Sequence, residues 1–520
     1  MQHACFSPLR REFGRSALRG ISLALLIALI ACSTLPAKLP RLAPTHATPP
    51  QAGGILAELE AKIISRHGAG VSGFETLDSN ADALRWRLAL VDSAQHSIDL
   101  QYYLWHQHDS GTLLLQRLLH AAKRGVRVRL LLDDVHTSGR DAEFAALHAH
   151  LNIQVRLFNP FRGRELLGRG FDFAQRAERL HQRMHNKLMV ADNRAAIVGG
   201  RNIGDEYFGF SDSFNFRDLD VLAIGPVARQ SSAVFDRFWN SNWVVAASVL
   251  PVDEGAPDID SLLAPMMDRL RSAPIGSHFS LQPQDWRDAF ADLPNRLHPG
   301  ATRLLSDAPT GDVMRHRMPQ AIRRLITAAR DELLILNAYI IPDQETVDTL
   351  RALTQRGVRV KIITNSLASQ DVTAVNSHYK FWRRPLLEAG VELYEVRPDA
   401  AIRAGIVNTT SANPALMGLH AKAIIIDGVR VFVGSMNLDP RSVSLNSEMG
   451  IVVESPSLAR ELAAIFARDA AAQNAWQVML DGERQLVWRA GDDIRTIQPA
   501  RDLWQRVQDF VFILVPVELY

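Results

Sequence analysis

Two stretches of the chain share one alternation of amphipathic and continuously apolar segments. Apolar residues at helical spacing indicate helices with one buried face, whereas short apolar runs bounded by glycine indicate buried strands. The pattern predicts helices over 83–94, 112–123, 318–329 and 345–355, and strands over 97–104, 126–132, 333–340 and 358–364. Strands that alternate with helices predict α/β layers, here on central, mostly parallel sheets flanked by helices.

The two stretches are copies of one unit. A near-constant offset between matching residues over such a distance indicates an internal duplication. Three landmarks recur at offsets of 232 to 235 residues: the segment Arg-Gly-Val-Arg-Val at Arg124 and Arg356, a histidine at His185 and His420, and an asparagine at Asn202 and Asn437. We therefore expect two tandem α/β domains, over 80–250 and 301–470.

A predicted β-hairpin in each copy carries the candidate chemistry. Histidine and lysine two positions apart on a strand point to the same face, so one phosphate can meet an imidazole and an ammonium together. The aspartate lies past the strand at the hairpin turn, where a role in side-chain hydrogen bonds to the backbone is favoured over a direct catalytic one. The candidate catalytic set is His185, Lys187 and Asp192 in the first copy and His420, Lys422 and Asp427 in the second.

Further matching residues follow each hairpin. Small residues at Gly200 and Ser435 let the backbone approach a ligand, and the amides of Asn202 and Asn437 can donate to phosphate oxygens. These four residues are the candidate substrate-binding set. Downstream, Asp218 aligns with Glu448, and a carboxylate in this position could hold the tautomer of a histidine. The alternative is a solvated acid at a strand end. For Asp218 this alternative is as good as the tautomer-holding role, and for Glu448 it is weaker.

The first 32 residues are typical of a secretory signal. Four arginines precede an uncharged apolar run over 21–31, which is too short to span a bilayer comfortably. The run ends in Leu-Ile-Ala-Cys, which resembles a bacterial lipobox and predicts lipidation of Cys32. A plain signal peptide or an uncleaved anchor is the alternative. The only other cysteine, Cys5, would be removed with the signal, so no disulfide is expected. These features predict a membrane-anchored, periplasm-facing lipoprotein. By resemblance to the sorting rules of enteric bacteria, Ser33 after the cysteine favours the outer membrane.

The remaining segments are predicted to connect or extend the two copies. A stretch rich in proline, alanine and threonine opens 33–79 and resembles a tether, and 251–300 resembles a linker. Residues 471–520 form a C-terminal segment. Within it the apolar run 511–517 predicts a core strand, with a membrane-contacting segment as the alternative.

Composition limits the classes of function. Hydrophobic residues make up 47% and charged residues 22%, which is the balance of a globular protein with a large core. The formal net charge is +2, whereas dedicated nucleic-acid binders usually carry a stronger basic excess. Charge therefore gives no support to a nucleic-acid partner.

The doubled HxK(x)4D motif with its downstream G[GS]xN resembles the phospholipase D superfamily over about residues 80–470. The segments 98–103 and 200–208 are similar to bacterial cardiolipin synthases. This resemblance implies two phospholipase D-like domains related by a pseudo-twofold axis, sharing one site. It also implies a phosphohistidine on His185 with His420 as acid and base, although the near-symmetric sequence does not distinguish the two.

The resemblance implies no cofactor and no metal, since lysine supplies positive charge. A zinc site at His181 and His185 is the weaker alternative, because their spacing suits a helix and this stretch resembles a loop entering a strand. The expected substrates are membrane phospholipids, handled by a monomer.

Four functions are compatible with these residues. The first is phosphatidyl transfer to phosphatidylglycerol, which makes cardiolipin. The second is hydrolysis of phospholipids to phosphatidic acid. A secreted nuclease is disfavoured by the near-neutral net charge and the predicted lipid anchor. A non-enzymatic lipoprotein is disfavoured because the motifs are intact in both copies.

Overall fold

The computed structural model of the protein describes residues 34–36, 38–407 and 416–519. The predicted signal over 1–32, including Cys32, lies outside the described residues. No helix within the described ranges is both long and apolar enough to cross a bilayer.

The strands of the first half, except β7, form a mixed sheet in the order β9-β4-β3-β2-β5-β6-β8-β1. Their bounds are β1 Ser72–Leu77, β2 Ser97–Tyr102, β3 Arg127–Asp133, β4 Ile153–Phe158, β5 Leu188–Ala191, β6 Ala195–Gly199, β7 Phe214–Arg217, β8 Asp220–Ile224 and β9 Val244–Ala246. Strands β2, β3 and β4 are parallel, and the other pairings in this sheet are antiparallel.

The second half repeats this order as β20-β15-β14-β13-β17-β18-β19-β10, with β21 and β22 added beyond β20. Its strands are β10 His298–Ser306, β11 Ala308–Thr310, β12 Val313–Arg315, β13 Glu332–Asn337, β14 Arg359–Asn365, β15 Glu392–Val396, β16 Leu416–Leu419, β17 Lys422–Ile426, β18 Arg430–Gly434, β19 Met449–Glu454, β20 Ala475–Leu480, β21 Leu486–Ala490 and β22 Asp493–Arg495.

Two strand pairs join the halves. Strand β1 pairs antiparallel with β10, which makes one 18-stranded sheet, and β7 pairs parallel with β16 in a separate two-stranded sheet. The buried guanidinium of Arg217, in the first half, forms ion pairs with Asp78 at 2.7 Å and with Asp469, in the second half, at 2.9 Å. The two halves therefore share both a sheet and a buried ion-pair cluster.

Helices cover the faces of this sheet. They are α1 Ile55–His67, α2 Asn80–Ser93, α3 Asp109–Lys123, α4 Asp141–His148, α5 Leu166–Leu180, α6 Asp205–Phe208, α7 Pro226–Trp239, α8 Ile259–Ser272, α9 Pro274–His278, α10 Arg287–Ala291, α11 Leu293–Arg296, α12 Met318–Thr327, α13 Gln344–Gln355, α14 Thr373–Tyr379, α15 Arg383–Glu388, α16 Arg403–Ile406, α17 Pro440–Ser444, α18 Pro456–Ala470 and α19 Leu503–Val511.

The recurring Arg-Gly-Val-Arg-Val segment is the junction between a helix and a strand. Its glycines, Gly125 and Gly357, adopt φ values of 96° and 88° at the second position after α3 and α13. L-residues with a side chain rarely adopt such φ values, so glycine ends each helix and lets the chain enter the next strand.

The predicted α/β class is confirmed, with two corrections in detail. The sheets are mixed rather than mostly parallel, because the motif hairpins and their neighbours pair antiparallel. The predicted linker 251–300 is largely helical, and apolar residues of α8, such as Leu263 and Leu270, are buried in the core of the first half.

The predicted tether also differs from a free linker. The backbone N–H groups of Thr45 and Ala47 donate to Asn240, directly after α7, and to Asp236 on α7, which fixes this extended segment along the first half. Beyond it, α1 and β1 lie inside the range expected to be a tether and N-terminal segment.

The prediction of a core strand over 511–517 is wrong. This stretch contains the end of α19 and a 3-10 turn, and Leu514 is 85% exposed. An apolar run predicts burial only if another part of the chain covers it, and here the described residues leave Val511 and Leu514 exposed and bury Val517 only in part.

Candidate active site

The backbone of each half positions the motif histidine of the other. His185 lies on the segment that leads into the strand pair β5–β6, and its N–H donates to the carbonyl of Ser447 at 2.9 Å. His420 precedes β17–β18, and its N–H donates to the carbonyl of Arg217 at 2.7 Å. Each motif histidine is therefore bonded to the residue just before a carboxylate of the other half: His185 to the residue before Glu448, and His420 to the residue before Asp218.

The two histidines face one cavity of about 260 Å³ between the halves. Both candidate asparagines also line it, so the structure brings together predicted residues 235 positions apart. Asn202 donates through its amide to the Tyr207 hydroxyl at 2.9 Å and accepts from the N–H of Leu104 at 3.2 Å. The lining includes His185, His420, Asn202, Asn437, Tyr103, Tyr207 and Tyr339.

The carboxylates predicted to support the histidines bind them crosswise. Nδ1 of His185 lies 3.0 Å from a Glu448 oxygen, and Nδ1 of His420 lies 2.6 Å from Oδ2 of Asp218. When Nδ1 carries the proton and donates to the carboxylate, Nε2 keeps its lone pair for the cavity. Both carboxylates are fully buried, which excludes the solvated-acid interpretation of Asp218.

Gly200 and Ser435 support these carboxylates and are not among the residues that line the cavity. A Cβ at Gly200 would lie 2.2 Å from Oδ1 of Asp218, so only glycine leaves room for that carboxylate. The Ser435 hydroxyl donates to Glu448. Gly200 and Ser435 therefore contact the two supporting carboxylates, one layer further from the cavity, and do not make the predicted contact with substrate.

The motif lysines are buried behind the histidines. Nζ of Lys187 donates to the carbonyl of His185 at 2.7 Å, and Nζ of Lys422 donates to the carbonyl of His420. The ammonium groups lie 5.3 Å and 5.8 Å from the ring centroids of Tyr103 and Tyr339. Burial lowers the pKa of both lysines, so an anion in the cavity would favour their charged forms.

Burial also shifts the two histidines toward the neutral form. It lowers the pKa of His185 well below its usual value, with added repulsion from Lys187 and Lys422. Burial and repulsion from Lys422 lower the pKa of His420 to about 4. Without an anion in the cavity, both imidazoles are therefore neutral near pH 7.

The two supporting carboxylates are not electrostatically equivalent. Burial raises the pKa of Glu448 to about 8, despite attraction to Lys187. Burial also opposes ionisation of Asp218, but its attraction to His420 and the hydrogen bond between them hold its pKa below the usual value. Near pH 7 an ionised carboxylate therefore supports His420, while a mostly protonated one supports His185.

The motif aspartates lie at the far ends of their strands, in the turn role favoured from the sequence. Asp192 has a φ of 50° and accepts the backbone N–H groups of Gln95, His96 and Ser97 at 2.8 to 2.9 Å. Asp427 does the same for residues 330–332. Neither is among the residues that line the cavity.

Sequence reasoning missed the aromatic walls of the cavity. The Tyr103 ring packs edge-on to His185 at 5.0 Å, and Tyr207 does so to His420 at 5.3 Å. Tyr339 donates its hydroxyl proton to Asp371 at 2.7 Å. Tyr103 and Tyr339 are 236 residues apart, close to the repeat offset, and that spacing was the signal that could have found them.

The pair His181 and His185 does not form a cluster of metal ligands. His181 directly follows α5 and packs on the ring of Phe173. Among the described residues, three potential ligands do gather elsewhere, namely His106, His108 and Glu206, with atoms within 4.8 Å of one another. Both imidazoles of this group lie within 3.4 Å of the Glu206 carboxylate.

Comparison with known proteins identifies the family. The family described as "Cardiolipin synthase, PLD-like domain" matches residues 88–239 and again 322–470. The chain belongs to this family. It is an enzyme of the phospholipase D superfamily.

Two relatives illustrate the similarity. Cardiolipin synthase C of Escherichia coli K12 is 38% identical over 89% of this chain and 99% of its own length. Cardiolipin synthase B of the same strain is 27% identical over 70% of this chain and 72% of its own length.

A solved structure shows the same fold. Phosphatidylserine synthase of Haemophilus influenzae Rd KW20 superposes with a TM-score of 0.52 and 14% identity, over 79% of this chain and 91% of its own. At this identity the likeness concerns architecture alone.

Proposed function

We propose that this enzyme transfers a phosphatidyl group from one phospholipid to a head-group hydroxyl of phosphatidylglycerol, which makes cardiolipin through a phosphohistidine intermediate. The observation that carries the proposal is the meeting of His185 and His420 in one cavity, each bound to a buried carboxylate of the other half. The relatives named cardiolipin synthase support phosphatidyl transfer as the reaction class.

The first step forms the intermediate. Nε2 of His185 attacks phosphorus, the bond from phosphorus to the departing head-group oxygen breaks, and protonated His420 gives that oxygen its proton. A bound phosphodiester anion raises the pKa of His420, so substrate itself favours the acid form that this step needs. In the second step the acceptor hydroxyl gives its proton to His420 and attacks phosphorus, and the phosphorus–nitrogen bond breaks.

The difference between the two carboxylates supports His185 as the nucleophile and His420 as the acid and base. Ionised Asp218 stabilises a positive imidazolium on His420, as an acid and base requires. Protonated Glu448 gives no such stabilisation to a proton on His185, which favours a neutral imidazole able to act as nucleophile. The near-symmetric sequence contains no equivalent distinction.

Positive and polar groups around the cavity would stabilise the transition state. Lys187 and Lys422 place charge behind the reacting phosphate, and the amides of Asn202 and Asn437 line the cavity where the non-bridging oxygens would lie. Fixed donors aimed at developing charge are commonly the largest contribution to such catalysis.

Product analysis tests the reaction. The full chain would be reconstituted in vesicles of phosphatidylglycerol, with and without phosphatidylethanolamine, and products identified by mass spectrometry. Cardiolipin is expected with the intact protein and absent with His185→Ala, while His181→Ala, which changes a nearby histidine outside the cavity, retains activity. Phosphatidic acid without cardiolipin would contradict transfer and establish hydrolysis. No lipid product would contradict both.

We also propose that the chain is anchored to a membrane as a lipoprotein through Cys32, facing the periplasm. The apolar run that ends at this cysteine supports the anchor, and the lipid chemistry of the relatives supports a membrane location. Incorporation of labelled fatty acid should occur in the intact chain and be lost in Cys32→Ala.

A further inference from the structure

Two helices, one in each half, have their polar and apolar faces inverted. In α19 the buried residues are Gln505 and Asp509, whereas Trp504 and Phe510 are 66% and 74% exposed. Leu503, Val507 and Val511 are exposed on the same helix, and Leu514 follows it. A surface helix normally buries its apolar face against the core, so the described part of the chain does not account for this apolar face.

Specific contacts hold α19 in this orientation. Asp509 accepts from the Asn376 amide at 2.7 Å and from Nζ of Lys380 at 2.8 Å. The Gln505 amide donates to the carbonyl of Leu367 at 2.6 Å. Because Gln505 and Asp509 are bound to the protein on one side of α19, the apolar side chains on its other side face outward.

The first half contains a counterpart in α5. Its buried residues include Arg169 and Asp172, while Leu166, Leu167 and Phe171 are exposed, Phe171 by 64%. Arg169 donates to the carbonyl of Asp134 at 2.7 Å, which fixes the helix with its polar side inward. Exposed contiguous apolar surface of this kind marks an interaction site.

Both helices are one contact removed from the active-site cavity. Helix α19 packs on α14, and Val372 and Val375, at the start of α14, line the cavity. Helix α5 is followed directly by His181, whose carbonyl accepts from the Arg441 guanidinium at 3.3 Å, and Arg441 also lines the cavity. Each helix thus contacts an element that carries cavity-lining residues.

The start of the described chain indicates what covers these faces. Thr34 forms a β-bridge with Gly163, and the N–H of Leu35 donates to the carbonyl of Arg162 at 2.8 Å. Gly163 is three residues before α5. Cys32, at the end of the apolar run 21–31, is two residues from Thr34, a reach of at most about 7 Å. The proposed anchor therefore enters beside α5.

From this arrangement we infer that the apolar faces of α5 and α19 insert into the surface of a phospholipid bilayer and hold the active-site mouth against it. The inference rests on the proposed function in taking membrane phospholipid as substrate. Helices with leucine and aromatic residues on one face suit the boundary between head groups and acyl chains. Arg501 and Arg506, beside the apolar residues of α19, add positive charge that complements anionic head groups.

Quenching of tryptophan fluorescence by brominated acyl chains tests the insertion without requiring turnover. All nine tryptophans lie in the described ranges, and Trp504 alone among them is exposed. In the full chain, reconstituted in vesicles of brominated phosphatidylglycerol and phosphatidylethanolamine, most quenching should be lost in Trp504→Phe. In that background Leu167→Trp on α5 should restore it.

A matched control is available where the strands of the first half end away from the cavity. Leu151 is 94% exposed and lies just before β4, at the end of this strand away from the cavity. Leu151→Trp in the Trp504→Phe background should show no quenching. Equal quenching at positions 151, 167 and 504, or none at 167 and 504, would overturn the inference. So would protection of Trp504 from aqueous acrylamide in lipid-free protein, because a second copy or the chain's own N-terminus would then cover it.

Activity measurements separate this inference from the proposed function. Phe171→Ser combined with Phe510→Ser should lower turnover of vesicle phosphatidylglycerol at least about tenfold, with little change for dissolved dihexanoyl-phosphatidylglycerol. Leu151→Ser should change neither. Equal loss on both substrates would contradict docking. A wild-type protein that is quenched at Trp504 but makes no lipid product would keep docking and reject the proposed function.

Discussion

At the residue scale, the two motif histidines differ in what their carboxylate partners can do. Asp218 stays ionised beside His420, whereas Glu448 holds its proton to about pH 8 beside His185. A histidine that acts as acid and base needs an ionised carboxylate beside it, whereas a neutral nucleophilic histidine suits a protonated one. Experiments should therefore distinguish two histidines that the sequence presents as equivalent.

A substrate with a good leaving group separates the two roles. Phosphatidyl-p-nitrophenol needs no proton to release nitrophenolate, so His420→Asn should form the phosphohistidine but resolve it slowly. We expect a burst of about one nitrophenolate per site, followed by turnover lowered roughly 10²- to 10⁴-fold. His185→Asn should give no burst. A burst from His185→Asn and none from His420→Asn would reverse the assignment.

Protonation of Glu448 has a consequence for stability. Its pKa rises from an ordinary 4.5 to about 8 in the folded protein, so the unfolded chain loses this proton at lower pH than the folded one. Its contribution to the free energy of unfolding is complete below about pH 4.5 and is lost as pH rises toward 8, with a slope of at most about 1.4 kcal/mol per pH unit.

Glu448→Gln removes this titration while keeping the shape of the side chain. The free energy of unfolding of the wild type, relative to this variant, should fall as pH rises from 5 to 8 in denaturant titrations. A difference that is flat with pH would show that Glu448 is ionised in the folded protein, and the electrostatic distinction between the histidines would then fail.

Sequence reasoning located these residues but not their pairing. Repeat spacing found His185, His420 and both carboxylates, because each half keeps the same local order. That Glu448 binds His185 rather than His420 depends on how the halves pack, and no local pattern encodes that. Gly200 was found for its small size, but the group that needs the space is Asp218 rather than substrate.

At the element scale, the motif aspartates test whether every member of the HxK(x)4D pattern acts in chemistry. Asp192 fixes three backbone N–H groups that lead into β2. Asp192→Ala should leave these donors without their acceptor and lower the free energy of unfolding by about 1–3 kcal/mol. Activity per folded molecule should remain within about threefold of wild type, because the carboxylate lies away from the cavity.

Asp427→Ala is the matched variant in the second half, with a smaller expected loss because the residues that it binds are more exposed. Thermal unfolding and activity at a temperature where both variants are folded provide the measurements. A loss of activity beyond a hundredfold in either, with folding intact, would give the aspartate a catalytic role.

Elements with strong periodicity were predicted well, and apolar runs at chain ends were not. The strand predicted over 126–132 is observed as β3, shifted by one residue. This strand is predictable because it is a buried apolar run between two helices. The run 511–517 has the same apolar character but belongs to an inverted helix and the turn after it. Apolar character alone does not specify whether protein or lipid covers a segment.

At the scale of the whole molecule, residues of both halves line the cavity that holds the two motif histidines. The β1–β10 pair, the β7–β16 pair and the ion pair of Arg217 with Asp469 all join the halves within the same protein. The duplicated sequence predicted two domains, but their shared sheet follows from a pairing of distant edge strands that periodicity does not specify.

Complementation tests whether the site forms within one chain. A mixture of His185→Ala and His420→Ala chains contains both intact histidines, but never in the same molecule. If each chain builds its own site, the mixture should show no more turnover than the single variants, even after the two are unfolded and refolded together. Recovery of a substantial part of wild-type turnover would mean that halves of different chains exchange. In that case the two strand pairs that join the halves would form between molecules, and the functional unit would be a dimer rather than a monomer.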